Sequence, residues 1–284
     1  MRLKQIVWQL GIRNNPVGTV LKEVDIPFQL IPNPKGMWAA DPFIIEKDDK
    51  VYIFAELFSL LEWRGKIGYC IFCNGEVTPW EIIFDEAPHY SFPYVFECNG
   101  EFYMMPETGS LKEIAIYKAI DFPSKWEKEE IVFSGDKMVD SVFLAEDKIL
   151  SYKMVGNYQN QLTYLNKVDG NWKIVNSKVD SSEIKRPAGK VFRFEGMTIR
   201  PVQDGRKLYG GSLKFLSISL ESGEEEIGQL NPEEIVVNDF GKKIVGTHTY
   251  NATSNYEIID FQYYQFSLLG LWERLILKFS KFRR

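Results

Sequence analysis

Trp80, Trp126 and Trp172 each stand at the start of a strand-like segment, "WEIIFD", "WEKEEIVFS" and "WKIVNSKV", and each follows the same three predecessors. A first hairpin comes ahead of each. For the first two tryptophans it is "ADPFIIEKDDKVYIFAE" and "SFPYVFECNGEFYMMPE", and for the third "VDSVFLAEDKILSYKM". A third strand follows each hairpin, "KIGYCIFC", "EIAIYKA" and "QLTYLNKV". A fourth unit, "RPAGKVFRFEGMTIRPVQD" with "SLKFLSISL", repeats the plan without the tryptophan. The turns "EKDDK", "ECNGE", "AEDK" and "RFEG" carry the Gly, Asn and Asp that tight hairpins need. Four antiparallel strands recurring roughly every 50 residues describe a propeller blade. A pair of β-sandwiches would give no reason for the recurring tryptophan.

Four such units leave strands at both ends: "LKQIVWQLGI" near the N-terminus, "KIVGTHTYN" and "YEIIDFQYY" near the C-terminus. Joining them into a fifth blade closes the ring and removes open sheet edges. The expected fold is therefore all-β, a five-bladed β-propeller over residues 1–264. The last residues, 265–284, change character. Leu268, Trp272, Leu275 and Phe279 fall at helical spacing beside Arg274, Lys278, Lys281, Arg283 and Arg284. With Glu273 they carry a local charge of +4, against −5 for the whole chain. A short C-terminal amphipathic helix is expected there, suited either to packing under the propeller or to lying on an anionic membrane surface.

The net charge argues against nucleic acid as the main ligand. No apolar run near the N-terminus has the length of a signal peptide, and none elsewhere reaches a membrane span. Cys70, Cys73 and Cys98 are an odd set, as expected of free thiols in a reducing compartment. Cys70 and Cys73 form a C-x-x-C, but within a strand, whose period of two sends them to opposite faces. Packing thiols are expected rather than a metal or redox pair. The expected location is cytoplasmic, peripheral at the inner face of the membrane if the helix binds it.

In a propeller the first strand of every blade lines the axis, so residues at those strand starts converge. This brings Asp41, Phe92, Tyr94, Asp140, Arg186 and His248 to one funnel, with His89 just ahead of the aromatic pair. Glu56 and Glu107 end the second strands of blades one and two, and Arg200 and Gln203 occupy that slot in blade four. Trp38, Phe92 and Tyr94 offer faces for the apolar side of a sugar ring. Paired carboxylates beside such faces are the minimum for glycosidic chemistry. Asp41, Glu107 and Asp140 are the candidate catalytic acids. Trp38, Glu56, His89, Phe92, Tyr94, Arg186, Arg200, Gln203 and His248 are the candidate substrate contacts. No nucleotide-binding glycine loop, Ser-His-Asp arrangement or metal-ligand cluster is discernible, so neither cofactor nor metal is expected.

Taken in order from Trp38 to Asp260, "ADPFIIEKDDKVYIFAE", "HYSFPYVFECNGEFYMMPETG", "VDSVF", "RPAGKVFRFEGMTIRPVQD" and "GTHTYN" resemble one family. It is the propeller domain at the N-terminus of plant glucosamine inositolphosphorylceramide transferases, shared with bacterial proteins of surface-polysaccharide synthesis. That domain is similar in turn to the five-bladed glycoside hydrolases, the arabinanases, xylosidases and fructosidases. The resemblance implies that Asp41 is the base or nucleophile and that Asp140 tunes the acid. It also implies a glutamate acid at the start of blade four, where this chain has "KRPAGKVF". Glu195 falls in a hairpin turn at the wrong end, and Glu107 is the available substitute. Three functions remain open: a glycosyltransferase-like protein of glycan assembly, acting on a sugar, sugar phosphate or lipid-linked glycan; a glycoside hydrolase; and a non-catalytic glycan-binding module serving a partner transferase.

Overall fold

The computed structural model describes residues 4–22, 26–155, 159–180, 185–219 and 223–266. They form five antiparallel sheets. Blade one runs Met37–Lys47, Lys50–Ser59 and Arg64–Cys73, with an outer strand in two pieces, Glu76–Val77 and Glu81–Phe84. Blade two is Ser91–Cys98, Glu101–Glu107, Glu113–Asp121 and Lys125–Ser134. Blade three is Val139–Ala145, Lys148–Val155, Gln159–Val168 and Asn171–Asp180, and blade four is Phe192–Phe194, Met197–Asp204, Ser212–Ser219 and Gly223–Leu230.

The fifth blade joins the two ends of the chain, as the sequence leads one to expect. Ile244–Gly246 and Tyr250–Ala252 pair with Tyr256–Phe266. That strand pairs with Lys4–Asn14 in unbroken register from Asn14↔Tyr256 to Lys4↔Phe266, and Gln29–Ile31 completes the sheet. Gln265 and Phe266, placed at the head of the expected terminal helix, instead continue this strand. The rest of that helix lies outside the described residues.

Blade stacking explains the strand compositions. Inner strands are covered on both faces by neighbouring blades, so Lys50–Ser59 is buried almost throughout. Outer strands meet solvent, and Lys125–Ser134 is mostly exposed and charged. One apolar cluster spans blades one to three through Phe43, Phe54, Tyr94, Met104 and Val142. A second joins blades one and five, and a third joins blades four and five. Each fully buried side chain of this size stabilises by about 1.5–3 kcal/mol relative to exposure. The tryptophans sit on the outer part of these clusters. Trp126 meets Phe54 edge-on at 5.8 Å and donates to the Pro123 carbonyl at 2.8 Å; Trp80 donates to the Pro32 carbonyl at 2.7 Å; Trp172 packs on Phe143. Cys70 is buried in the second cluster and Cys98 is exposed, all three thiols being free.

Candidate functional site

A shared irregularity in the inner strands builds the site. The pairing slips between Ala40 and Phe43, between Ser91 and Tyr94, and between Val139 and Val142. The residue inside each slip is left-handed: Asp41 at φ 52°, Phe92 at 44° and Asp140 at 47°. A bulge adds one residue opposite its partner strand and re-aims its side chain. A non-glycine residue held there is strained, which a fold retains only where the surroundings over-determine it. Blade five has the equivalent break at Thr247–Thr249, between its two inner strand pieces. In blade four the Arg186–Gly189 segment pairs with the next strand through Ala188 N to Pro201 O and Gln203 N to Arg186 O.

Asp41 lies 7% exposed. Its Oδ1 accepts from Thr249 Oγ1 at 2.9 Å, its Oδ2 from the Phe92 backbone N–H at 3.3 Å, and its own N–H donates to Asp260 Oδ2 at 3.0 Å. Burial drives its carboxyl up to about 6, with Asp260 and Asp140 adding to the rise while His248 and Thr249 oppose it. His248 donates from Nδ1 to Asp260 Oδ2 at 2.6 Å, and its Nε2 stands 3.7 Å from Asp41 Oδ1. Trp8 stacks on the imidazole with ring centroids 4.0 Å apart. Burial alone lowers the basicity of His248, but the Asp260 carboxylate outweighs it and raises the imidazole above its ordinary value.

Across the mouth, Arg186 forms an ion pair through Nε with Asp140, which is 1% exposed. Burial opposes the guanidinium charge, yet Asp140, Tyr209 and Glu107 hold it firmly protonated. Its Cζ lies 5.6 Å from the centroid of the Tyr152 ring and 5.5 Å from that of Tyr209. Glu107 is pushed up to about 8 by burial first and then by the Asp140 charge, with Arg186 pulling the other way. Glu56, at 6% exposure more deeply placed than Glu107, rises well above the usual carboxylate range through burial and through Asp41 and Glu107. At neutral pH the mouth therefore holds two kinds of acid: Glu107 largely protonated, Asp41 largely ionised. Environments that push two carboxyls apart in this way separate an acid role from a base role.

The structure brings together Asp41, Glu56, Glu107, Asp140, Arg186 and His248. His89 joins them: its Nε2 is 3.4 Å from Glu56 Oε1 while its Nδ1 accepts the Gly65 N–H at 2.9 Å. Gln203 is buried and donates to the Pro187 carbonyl at 3.2 Å, tethering the loop that carries Arg186. Other expected contacts lie elsewhere. Phe92 is fully buried edge-on against Phe43, so only its backbone N–H serves the site. Tyr94 packs between Phe43 and Phe143 at 6% exposure. Arg200 is 0% exposed inside blade four, where it pairs with Glu224 at 2.6 Å and donates to the Lys185 carbonyl. A side chain alternating along a strand enters the space between blades as readily as the axis, and Phe92 and Arg200 take the former course. Trp38 remains half-buried, stacked on Phe58 at 4.6 Å.

Asp260 is the residue the sequence reading missed. It is fully buried and accepts from the backbone N–H groups of Asp41, His248 and Thr249 as well as from the imidazole. The available signal was a second acid, beside Glu257, inside the otherwise apolar and aromatic "YEIIDFQYY", since a buried acid is rare unless it is paired. Asp41, His248 and Asp260 are close enough to hold a cation together. Each carboxylate there already has protein donors, so the group is satisfied through hydrogen bonds.

Residues 15–231 match the family model described as "Glucosamine inositolphosphorylceramide transferase 1, N-terminal". The glucosamine inositolphosphorylceramide transferase 1 of Arabidopsis thaliana is 33% identical over 205 residues, covering 66% of this chain and 26% of that protein. The protein of the same name from Oryza sativa subsp. indica is 31% identical over 203 residues, covering 66% and 27%. The chain thus spans about a quarter of the length of the curated relatives it matches. Among solved structures, the catalytic domain of an α-L-arabinofuranosidase from Coprinopsis cinerea aligns with a TM-score of 0.56 at 12% identity, covering 79% of this chain and 90% of that one. A β-xylosidase/α-arabinofuranosidase from a compost metagenome aligns with a TM-score of 0.54 at 13% identity, covering 85% and 94%. At such identities these likenesses establish the fold.

Proposed function

The chain belongs to the family of the N-terminal region of glucosamine inositolphosphorylceramide transferase 1, and from that membership we propose that its mouth is a sugar site of glycan assembly. The supporting observation is the convergence of ionised Asp41, protonated Glu107 and the Asp140–Arg186 pair on one basin. In the proposed transfer, Asp41 takes the proton of an acceptor hydroxyl as its oxygen bonds to the anomeric carbon of the donor. The bond to the leaving group breaks with its electrons on that group. A phosphate leaving group needs no proton, only a cation. Arg186 stands at the blade-four position where the hydrolase resemblance implies a proton-donating glutamate, and its side chain remains 25% exposed. Glu107 keeps its proton, which it donates to Asp140, and its carbonyl oxygen accepts a hydrogen bond from a sugar hydroxyl.

A second reading has its own support. Because the chain matches only 26% of its Arabidopsis relative, the propeller could present a glycan to a transferase active site elsewhere. Calorimetric titration with sugar phosphates, nucleoside diphosphate sugars and simple glycosides, paired with an assay of phosphate or nucleotide release, separates the two. Transfer requires turnover that Asp41→Asn abolishes while donor binding survives. Binding without turnover in both proteins supports the presenting role. Cleavage of aryl glycosides by the parent protein, lost in Asp41→Asn, would replace both readings by hydrolysis. The membrane contact drawn from residues 265–284 concerns residues almost wholly outside the described set.

A further inference from the structure

We infer that Trp63, with Phe58 and Trp38, forms a shelf beside the mouth that binds a further sugar residue of an extended glycan. This rests on the sugar reading of the mouth.

The shelf is carried by the turn "SLLEW" between the second and third strands of blade one. Ser59 closes the turn twice: its Oγ accepts the Glu62 N–H at 3.2 Å, and its carbonyl accepts the Trp63 N–H at 2.9 Å. The chain then reverses through Trp63 at φ 57°. A single helical turn ended by a left-handed residue normally has glycine there, because a β-carbon is disfavoured. Here that position holds the largest side chain of all, and 52% of it is exposed. Packing does not account for so strained a placement of so apolar a group, whereas presentation to a ligand does.

The neighbours give the exposed ring its direction. Trp63 meets Phe58 edge-on at 5.3 Å, Phe58 stacks on Trp38 with an interplanar angle of 8°, and Phe58 lies 6.3 Å from His89. His89 reaches Glu56, so the aromatic shelf is continuous with the acid cluster. Burial and Lys137 lower the basicity of His89, leaving its remaining proton on Nε2, towards Glu56. Beside the shelf, Arg64 and Lys66 cross-link Glu62 and Asp85 at 2.5–2.6 Å. This network fixes the turn and places charged hydrogen-bonding groups on the residues either side of Trp63, Glu62 and Arg64. Flat aromatic faces fringed by fixed polar groups match a saccharide, which has apolar C–H faces and hydroxyl edges. A lipid chain would leave that fringe unused.

The experiment follows the fluorescence of the full chain during titration with methyl glycosides of xylose, arabinose, glucose, galactose and glucosamine, and with the matching trisaccharides. For the sugar that binds, the trisaccharide is expected to bind at least fivefold more tightly than the methyl glycoside. Trp63→Ala should erase that gain and leave the methyl glycoside affinity unchanged, and Trp63→Phe should keep most of it. Circular dichroism melting verifies that each variant is folded; should the alanine variant not fold, a gain diminished in Trp63→Phe and absent in Trp63→Leu carries the same result. A gain that survives Trp63→Ala, or an equal loss for both ligand lengths, overturns the shelf while leaving the mouth reading intact. Trp63-dependent binding to phosphatidylcholine vesicles, without a trisaccharide gain, overturns it in favour of lipid. Failure of every sugar to bind the parent protein removes the mouth reading and the shelf together.

Discussion

Replacing Glu107 by glutamine tests the electrostatics of the mouth without reference to any ligand. The folded protein holds the Glu107 carboxyl at about 8, against an ordinary value of 4.5. Since the folded value lies above the unfolded one, the associated stability is full below about pH 4.5 and is lost as pH rises to about 8. At roughly 1.4 kcal/mol per pH unit, the whole interval corresponds to an upper limit of about 5 kcal/mol. Glu107 is only half-buried and shares its field with Asp140 and Arg186, so screening reduces the expected figure to about 2 kcal/mol. Glutamine has the same shape, stays neutral, and can still donate to Asp140. The two proteins should therefore be equally stable at pH 4.5, and Glu107→Gln should be about 2 kcal/mol more stable at pH 8.5. With a urea slope of about 3 kcal/mol/M, that is a midpoint difference of about 0.7 M. Asp41 and Glu56 titrate in both proteins, so the difference reports Glu107 together with its coupling to them. Parallel stability curves across this range would show that Glu107 ionises freely, and the proposed division between acid and base would fall.

Asp260→Asn should cost about 3 kcal/mol of stability, because a fully buried carboxylate accepting three backbone N–H groups and an imidazole loses its charge. The same variant should lower the titration midpoint of His248 in NMR spectra, since Asp260 is the main group raising it. Arg200→Met should lower the melting temperature but leave sugar affinity within about twofold, because its guanidinium serves Glu224 and a backbone carbonyl inside blade four. A loss of sugar binding without loss of stability would return Arg200 to the mouth.

The repeat made the blades legible, because strands covered on both faces must be apolar and the turns between them must hold Gly, Asn or Asp. The closure of the ring by both ends followed from the need to pair sheet edges. Asp41, Asp140, Arg186 and His248, expected near the inner strands, lie close together for the same reason: the axis collects them. What periodicity could not supply was the bulge. A slip of one residue at Ala40–Phe43 and its counterparts decides which side chain turns to the axis. It sends Phe92 into the core while aiming Asp41 and Asp140 at the mouth. Asp260 stayed hidden because nothing local marks a carboxylate whose four hydrogen-bonding partners come from residues up to 219 positions away. Trp63 was equally silent, since its left-handed backbone is visible only in three dimensions.

The central claim is that groups from all five blades act on one sugar. Hydrogen exchange of the full chain, with and without the sugar that binds most tightly, measures this directly. Simultaneous protection of the segments bearing Asp41, Glu107, Asp140, Arg186 and His248 is expected, with the outer strands unchanged. Protection confined to one blade, or to the outer strands alone, would contradict it.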